Sequence, residues 1–138
     1  MNADRGGWLA SCAFAVVSGC AGMPMGDEQG ALAATGDAAR GREVFVSREA
    51  GHCVLCHAAP GVAVAGNVGP SLAGVGSRLS PAQIRFRVAD ITRLNPEAVM
   101  PAFHRTQGLE RVAAAYAGRP VLDARQVEDV VAFLSGLR

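Results

Sequence analysis

The residues with the most distinctive chemistry lie in one short segment, 51–60, with the sequence GHCVLCHAAP. Cys53 and Cys56 are three residues apart, and His57 follows the second cysteine directly. On one helical turn, residues i and i+3 share a face, so both thiols can reach the same edge of a flat ligand. The next residue, His57, can then point a ring nitrogen at a metal in the centre of that ligand. This spacing is the attachment signature of c-type haem.

Two other chemistries use the same cysteines. A redox-active dithiol also has the Cys-x-x-Cys spacing, but it belongs beside a β-α-β pattern, which the sequence lacks. A zinc site could combine Cys53 and Cys56 with two of the three histidines, His52, His57 and His104, yet the usual second ligand pair at fixed spacing is missing. The other two cysteines of the chain precede residue 21, so the only cysteines of the domain both belong to the motif. This favours haem.

A second axial ligand would complete the coordination of a haem iron. Met100 lies in the segment VMPAFH, 43 residues beyond His57. The Pro101 that follows restricts the backbone of Met100 to extended conformations, which helps to hold its side chain in place. We therefore favour Met100 as the sixth ligand, with His104 as the alternative. The remaining candidates lie beside the attachment turn or in a predicted linker: His52, Met23 and Met25.

The predicted ligands also indicate what the iron would do. A thioether ligand raises the reduction potential, and an iron with both axial positions filled favours electron transfer over substrate binding. A ligating histidine usually donates its other N–H to a carbonyl, which fixes the tautomer. In the segment NVGPSLAGVG, the backbone carbonyl of Pro70 is the expected acceptor for His57.

Composition limits the remaining function classes. The chain has 138 residues, of which 50% are hydrophobic and 18% charged, values typical of a single globular domain. A formal net charge of +1 gives no electrostatic footprint for nucleic acid. Aromatic residues make up only 5% of the chain, so a small core is hard to fill without a buried cofactor.

The N-terminus is predicted to direct export. An apolar run from Trp8 to Val17 follows Arg5; it is too short to span a bilayer, which takes ~20 residues, and is typical of a secretory signal. The segment Val17-Ser-Gly-Cys20 resembles a lipoprotein cleavage site, where Cys20 would be acylated; signal cleavage without a lipid is the alternative, so membrane anchoring stays open. The predicted organisation is a signal peptide over 1–19, of lipoprotein type if Cys20 is acylated, a linker over 20–35 and one domain over 36–138.

Three main helices are predicted to position these residues, joined by long loops over 58–79 and 95–121. The second begins at Ser80 with Gln83, and the third at Asp123 with Gln126, both as capping boxes. We find no convincing strand pair, so the sequence predicts a small all-α fold wrapped around one haem. The apolar faces of the three helices are predicted to be Gly41, Val44 and Phe45; Ile84, Val88 and Ile91; and Val127, Val130, Val131 and Leu134.

Taken together, these segments resemble the class I cytochromes c. The matching pieces, in order, are GREVF, CVLCH, GPSLAG, MPAF and VEDVVAFLSGL. More narrowly, residues 36–138 closely resemble SoxX, the monohaem subunit of the SoxAX cytochrome, above all in RLNPEAVMPAFHRTQGLERVA, which generic cytochromes c lack. In the wider family the first and last helices cross near a glycine and aromatic residues, which matches Gly41, Phe45 and Phe133.

This resemblance implies a cofactor, partners and a compartment. We expect one covalently attached haem c, on Cys53 and Cys56, in an electron-transfer subunit that forms a periplasmic heterodimer with a SoxA-type subunit. That complex, an L-cysteine S-thiosulfotransferase, joins thiosulfate oxidatively to a cysteine of the SoxYZ carrier protein. Because the family places substrate chemistry on the other subunit, none is expected on this chain, which would pass electrons to a small acceptor cytochrome. A stand-alone periplasmic electron carrier is the alternative.

The arginines and the segment 104–122 are less informative. Arginine can pair with haem propionates, and Arg78, just after the Gly-rich loop, is the better candidate for this. The arginines of the second helix are predicted to form a solvated face: Arg85, Arg87 and Arg93. Exposed apolar residues in 104–122 would suit a partner contact or cover the haem edge: Leu109, Val112 and Tyr116.

Overall fold

A computed structural model of the protein describes residues 35–64 and 66–138. Over those residues the chain forms helices and loops and no strand, which confirms the all-α prediction. The α-helices are α1 (Ala38–Val46), α2 (Val75–Arg78), α3 (Pro81–Asp90) and α4 (Ala124–Gly136). Three short 3-10 turns cover Cys53–Leu55, Ile91–Arg93 and Ala114–Tyr116.

Several predictions for the N-terminus fall outside the described residues. These are the signal peptide over 1–19, acylation of Cys20, and all but the last residue of the linker over 20–35, with Met23 and Met25. Within the described part of the chain, no helix is long and apolar enough to cross a membrane.

The core forms where α1 crosses α4. Gly41 of α1 is buried, and a Cβ added to it would lie 1.8 Å from the backbone carbonyl oxygen of Asp129 in α4. The two helix backbones therefore touch, and this contact explains why a glycine is kept at a helical position where it costs about 1 kcal/mol relative to alanine. Phe45 and Phe133 pack beside the contact, with ring centroids 5.4 Å apart.

Both predicted capping boxes are present. In α3, the Ser80 side chain accepts from the Gln83 backbone N–H, and the Gln83 side chain accepts from the Ser80 N–H. Asp123 and Gln126 make the same reciprocal pair at the start of α4. These caps fix where the helices begin, and the predicted apolar faces consequently point into the core. Two of the predicted residues are only half-buried, near helix ends: Val44 and Ile91.

The end of α3 and the existence of α2 differ from the prediction. The α-helix ends at Asp90, before the predicted loop over 95–121 begins. The Asp90 side chain accepts from the backbone N–H and the hydroxyl of Thr92 and so competes with helical hydrogen bonding. α2 lies within a predicted loop. It docks on the end of α4, where the Gly76 N–H donates to the Leu137 carbonyl; one turn of helix is too short to give a periodic pattern.

Two adjacent carboxylates of α4 bind its two neighbouring helices. Asp129 accepts two hydrogen bonds from the Arg40 guanidinium of α1, at 2.8 and 2.9 Å. Glu128 accepts two from Arg85 of α3, at 2.5 and 2.7 Å. Both carboxylates are 3% exposed, and bidentate pairs of this kind are strong. For Arg85, the prediction of a solvated face is therefore wrong, because its guanidinium pairs with the buried Glu128. Glu128 is 43 residues away in the sequence, so no local pattern indicates the pair.

The Arg40–Asp129 pair predicts a pH dependence of stability. Hydrogen bonds from Arg40 hold the pKa of Asp129 below its usual value. A carboxylate with a lowered pKa stabilises the fold above its unfolded-state pKa of about 3.9, and that contribution is lost as pH falls through the folded-state pKa. We expect Asp129→Asn to lower the free energy of unfolding by about 2 to 3 kcal/mol at neutral pH.

This difference should shrink as the pH drops below about 4, as measured by denaturant unfolding of the haem-loaded protein at a series of pH values. Glu97→Gln, which neutralises an exposed carboxylate, is the control and should change little. An Asp129→Asn deficit that stayed constant down to the lowest pH would contradict the role given to this carboxylate.

Candidate haem site

The attachment motif is held against α1 by the loop that joins them. The Gly51 backbone passes close to α1, because a Cβ added there would lie 2.4 Å from the carbonyl oxygen of Val44. His52 then adopts a left-handed backbone, with φ of 56°, and its N–H donates to the Ser47 carbonyl. This reversal starts the turn that carries the two cysteines.

The motif forms one helical turn, as its spacing requires. The backbone N–H groups of Cys56 and His57 both donate to the Cys53 carbonyl, at 3.1 and 2.9 Å. Both thiols are free and half-buried. Burial raises the pKa of the Cys53 thiol to about 12, and the thiol donates to the Gly51 carbonyl at 3.3 Å.

The imidazole of His57 is oriented by the backbone that follows the motif. Its Nδ1 lies 2.8 Å from the carbonyl oxygen of Pro70. A carbonyl only accepts, so Nδ1 carries the hydrogen, and Nε2 keeps the lone pair that a metal needs. Behind the ring, a Cβ on Gly69 would lie 2.4 Å from Cε1. Only glycine therefore fits at this position, a requirement that the Gly-Pro pair in the sequence does not reveal because it depends on the ring that the backbone passes.

Backbone hydrogen bonds fix the Gly69–Pro70 segment to the motif. Three N–H groups of the loop, from Gly66, Gly69 and Leu72, each donate at 2.8 Å to carbonyls of the attachment region. Their acceptors are Val54, Cys56 and Ala58. Backbone hydrogen bonds thus join the loop to the attachment turn on both sides of His57. The imidazole orientation therefore depends on main-chain contacts more than on neighbouring side chains.

Met100 lies in a second, separate loop. Its side chain is half-buried and packs against the core. The chain after it is fixed at Phe103 and His104: the His104 N–H donates to the Ala89 carbonyl at the end of α3, and the Leu122 N–H donates to the Phe103 carbonyl. The His104 ring donates from Nδ1 to the Leu122 carbonyl at 2.9 Å. His104 therefore has a structural contact of its own in this loop.

These residues fit a c-type haem. One turn presents two free thiols and an imidazole whose Nε2 has no hydrogen to donate, which is the donor set that covalent attachment and iron ligation require. Across residues 35–64 and 66–138, no three His, Cys, Asp or Glu side chains come together as a metal site. The zinc interpretation therefore gains no support from the part of the chain that the structure describes.

The other arginines raised by the sequence make short-range contacts. Arg78 is exposed and donates to the Ala73 carbonyl at 2.5 Å, and Arg87 donates to the Gln83 carbonyl one turn back in α3. Arg93 lies over the Phe86 ring, 5.6 Å from its centroid. The apolar residues of 104–122 border a cleft that also includes Met100: Leu109, Val112 and Tyr116.

Comparison with known proteins supports the haem assignment. The family model described as "Cytochrome C oxidase, cbb3-type, subunit III" matches residues 36–117. Among solved structures, SoxXA from P. pantotrophus matches with a TM-score of 0.69 and 35% identity, over 76% of this chain and 84% of that chain. The c-type cytochrome SorU from Sinorhizobium meliloti matches with a TM-score of 0.48 and 24% identity, over 80% and 93% respectively. No curated protein matches significantly.

The prediction of haem c is therefore confirmed, and Cys53 and Cys56 lie in its attachment motif.

The close contact behind His57 gives a testable prediction. Gly69→Ala should displace the imidazole, because the added Cβ would overlap the ring. We expect covalent haem to be retained through the cysteines, a change in the absorption spectrum that indicates weakened histidine ligation, and a loss of about 1 to 3 kcal/mol in the free energy of unfolding.

Gly136→Ala is the matched control, since a Cβ at Gly136 has no neighbour within 4 Å, and it should leave the spectrum unchanged. A Gly69→Ala protein with the parental spectrum and stability would show that the ring does not depend on this contact.

Proposed function

This chain belongs to the class I c-type cytochromes, and we propose that it is the electron-transfer subunit of a periplasmic SoxAX-type heterodimer. In this proposal the complex joins thiosulfate oxidatively to a cysteine of the SoxYZ carrier protein, and this chain passes the released electrons to a small acceptor cytochrome. The observation that carries the proposal is the similarity to SoxXA over most of the chain.

The chemistry of the described residues supports a subunit that carries electrons and leaves substrate chemistry to its partner. The only two cysteines within those residues are the ones in the haem motif. The three most buried carboxylates are all bonded to arginine or to neighbouring groups: Asp90, Glu128 and Asp129. A group that could conjugate thiosulfate is thus not apparent in this part of the chain.

We further propose that Nε2 of His57 and the sulfur of Met100 are the axial ligands, with thioether bonds to Cys53 and Cys56. When bound, the haem supplies reversible one-electron chemistry. The role of the chain is to hold both ligands still: Pro70 fixes the imidazole, and the contacts of His104 fix the loop that follows Met100. Ligands that do not move between oxidation states reduce the reorganisation that electron transfer requires.

The heterodimer can be tested by purification of an affinity-tagged copy from its own host. We expect a second haem-bearing chain to copurify in equal amount, and thiosulfate together with the SoxYZ carrier to reduce the iron, while either alone does not. A double Cys53→Ala, Cys56→Ala variant controls for reduction that does not pass through this haem. A monomer that thiosulfate and the carrier never reduce would overturn the proposal in favour of a stand-alone carrier.

The axial ligand can be tested with Met100→Ala and His104→Gln. Because a thioether raises the potential, Met100→Ala should lower the midpoint potential, abolish the sulfur-to-iron charge-transfer band of the ferric protein and allow carbon monoxide to bind the ferrous iron. His104→Gln should keep the band. If His104→Gln opened the iron and Met100→Ala did not, the assignment would pass to His104.

A further inference from the structure

An ion pair between a buried carboxylate and a partly exposed arginine connects the end of α3 to the chain that follows Met100. Asp90, the last residue of α3, is 6% exposed. A carboxylate at a helix C-terminus faces the negative end of the helix dipole, and burial adds the cost of removing its charge from water. Both effects disfavour a carboxylate here, so its position needs partners that offset them.

Three groups supply those partners. The backbone N–H and the hydroxyl of Thr92 donate to Oδ1 of Asp90, at 3.1 and 2.5 Å. On the other side, Nη1 of Arg105 lies 3.4 Å from Oδ2. Neither Oδ2 of Asp90 nor Nε of Arg105 makes a hydrogen bond within the described residues, although both atoms are buried. Arg105 is thus held to Asp90 by charge.

Arg105 belongs to the same loop as the proposed sixth ligand. It follows Met100 by five residues, and Met100, Arg105 and Thr92 border one cleft of about 380 Å³. The backbone hydrogen bonds of this loop involve Phe103 and His104. The ion pair adds a side-chain connection immediately beyond them, so the loop is joined to α3 through both main chain and charge.

We propose that Asp90 and Arg105 are positioning residues that hold the Met100 side chain on the haem iron. The inference rests on the proposed ligation by Met100. A thioether is neutral, so no charge attraction holds it to the iron. The fraction of time that the Met100 sulfur stays bound therefore depends on how readily its loop opens. Opening this loop would separate Arg105 from Asp90 and leave a buried carboxylate without its cation, which is strongly unfavourable. The pair therefore keeps the loop closed.

Asp90→Asn and Arg105→Gln in the purified haem protein test this role. We expect both to weaken the sulfur-to-iron band, to lower the midpoint potential, and to raise the affinity of the ferrous protein for carbon monoxide about tenfold, because a ligand that binds only the open state gains in proportion to the open fraction. A purely electrostatic effect has a different signature: loss of the carboxylate would raise the potential and loss of the guanidinium would lower it. Opposite shifts with an intact band would overturn the proposal.

Matched variants separate positioning from a general loss of charge. Arg119→Gln removes a cation from the same cleft. Within the described residues, the Arg119 guanidinium makes a hydrogen bond only to the Ala115 carbonyl of its own turn, so the band and carbon monoxide affinity should stay unchanged. Arg105→Lys keeps the charge and should recover part of the wild-type band. The double variant Asp90→Asn, Arg105→Gln should bind carbon monoxide no more tightly than the stronger single variant; additive effects would contradict a coupled pair.

Two further measurements keep the outcomes distinct. If Asp90→Asn does not accumulate, Thr92→Val removes one donor to Asp90 while leaving the ion pair, and should shift the band and potential in the same direction by less. A wild-type protein without the sulfur-to-iron band would overturn both the Met100 assignment and this inference, whereas copurification of the partner subunit tests the heterodimer independently. Wild-type band, potential and carbon monoxide affinity in all the Asp90, Thr92 and Arg105 variants would overturn the positioning role alone.

Discussion

Direct backbone contact with α4 is the constraint on which the rest of the structure depends. Gly41 of α1 and Gly76 of α2 both approach carbonyl groups of α4 so closely that a Cβ at either position would overlap a main-chain oxygen. Because α1 is held this tightly, the loop after it delivers the attachment turn to a fixed place. A small domain with few aromatic residues thereby gains a rigid frame from close helix packing, and its haem-binding loops start and end on that frame.

The two proposed iron ligands, His57 and Met100, are held in place by different means. The His57 ring is oriented by the Pro70 carbonyl, in a loop that backbone hydrogen bonds join to the attachment turn. The close passage of Gly69 leaves the ring little room to rotate. The loop of Met100 is joined to distant elements instead, through Ala89 at the end of α3 and Leu122 before α4. The orientation of His57 is therefore determined locally, whereas the position of the Met100 loop depends on how α3 and α4 pack.

Features encoded by neighbouring residues were predictable from the sequence. The attachment motif, both capping boxes and the apolar faces of the long helices depend on spacings of seven residues or fewer, and the structure has them. Features set by distant partners were not: Arg85 was expected in solvent because nothing near it in sequence indicates Glu128, 43 residues away. Likewise, the early end of α3 depends on a side chain, Asp90, whose burial is visible only in three dimensions, and the need for glycine at position 69 depends on the ring it passes.

Glu128 and Asp129 occupy consecutive positions of α4, so their side chains leave the helix about 100° apart and reach Arg85 of α3 and Arg40 of α1. An apolar stripe alone tolerates some rotation of a helix about its axis, since valine and leucine pack acceptably in several settings. Two ion pairs that point in different directions do not, because turning α4 by one residue would leave both buried carboxylates without their arginine partners. Glu128 and Asp129 together therefore fix the rotation of α4 about its own axis.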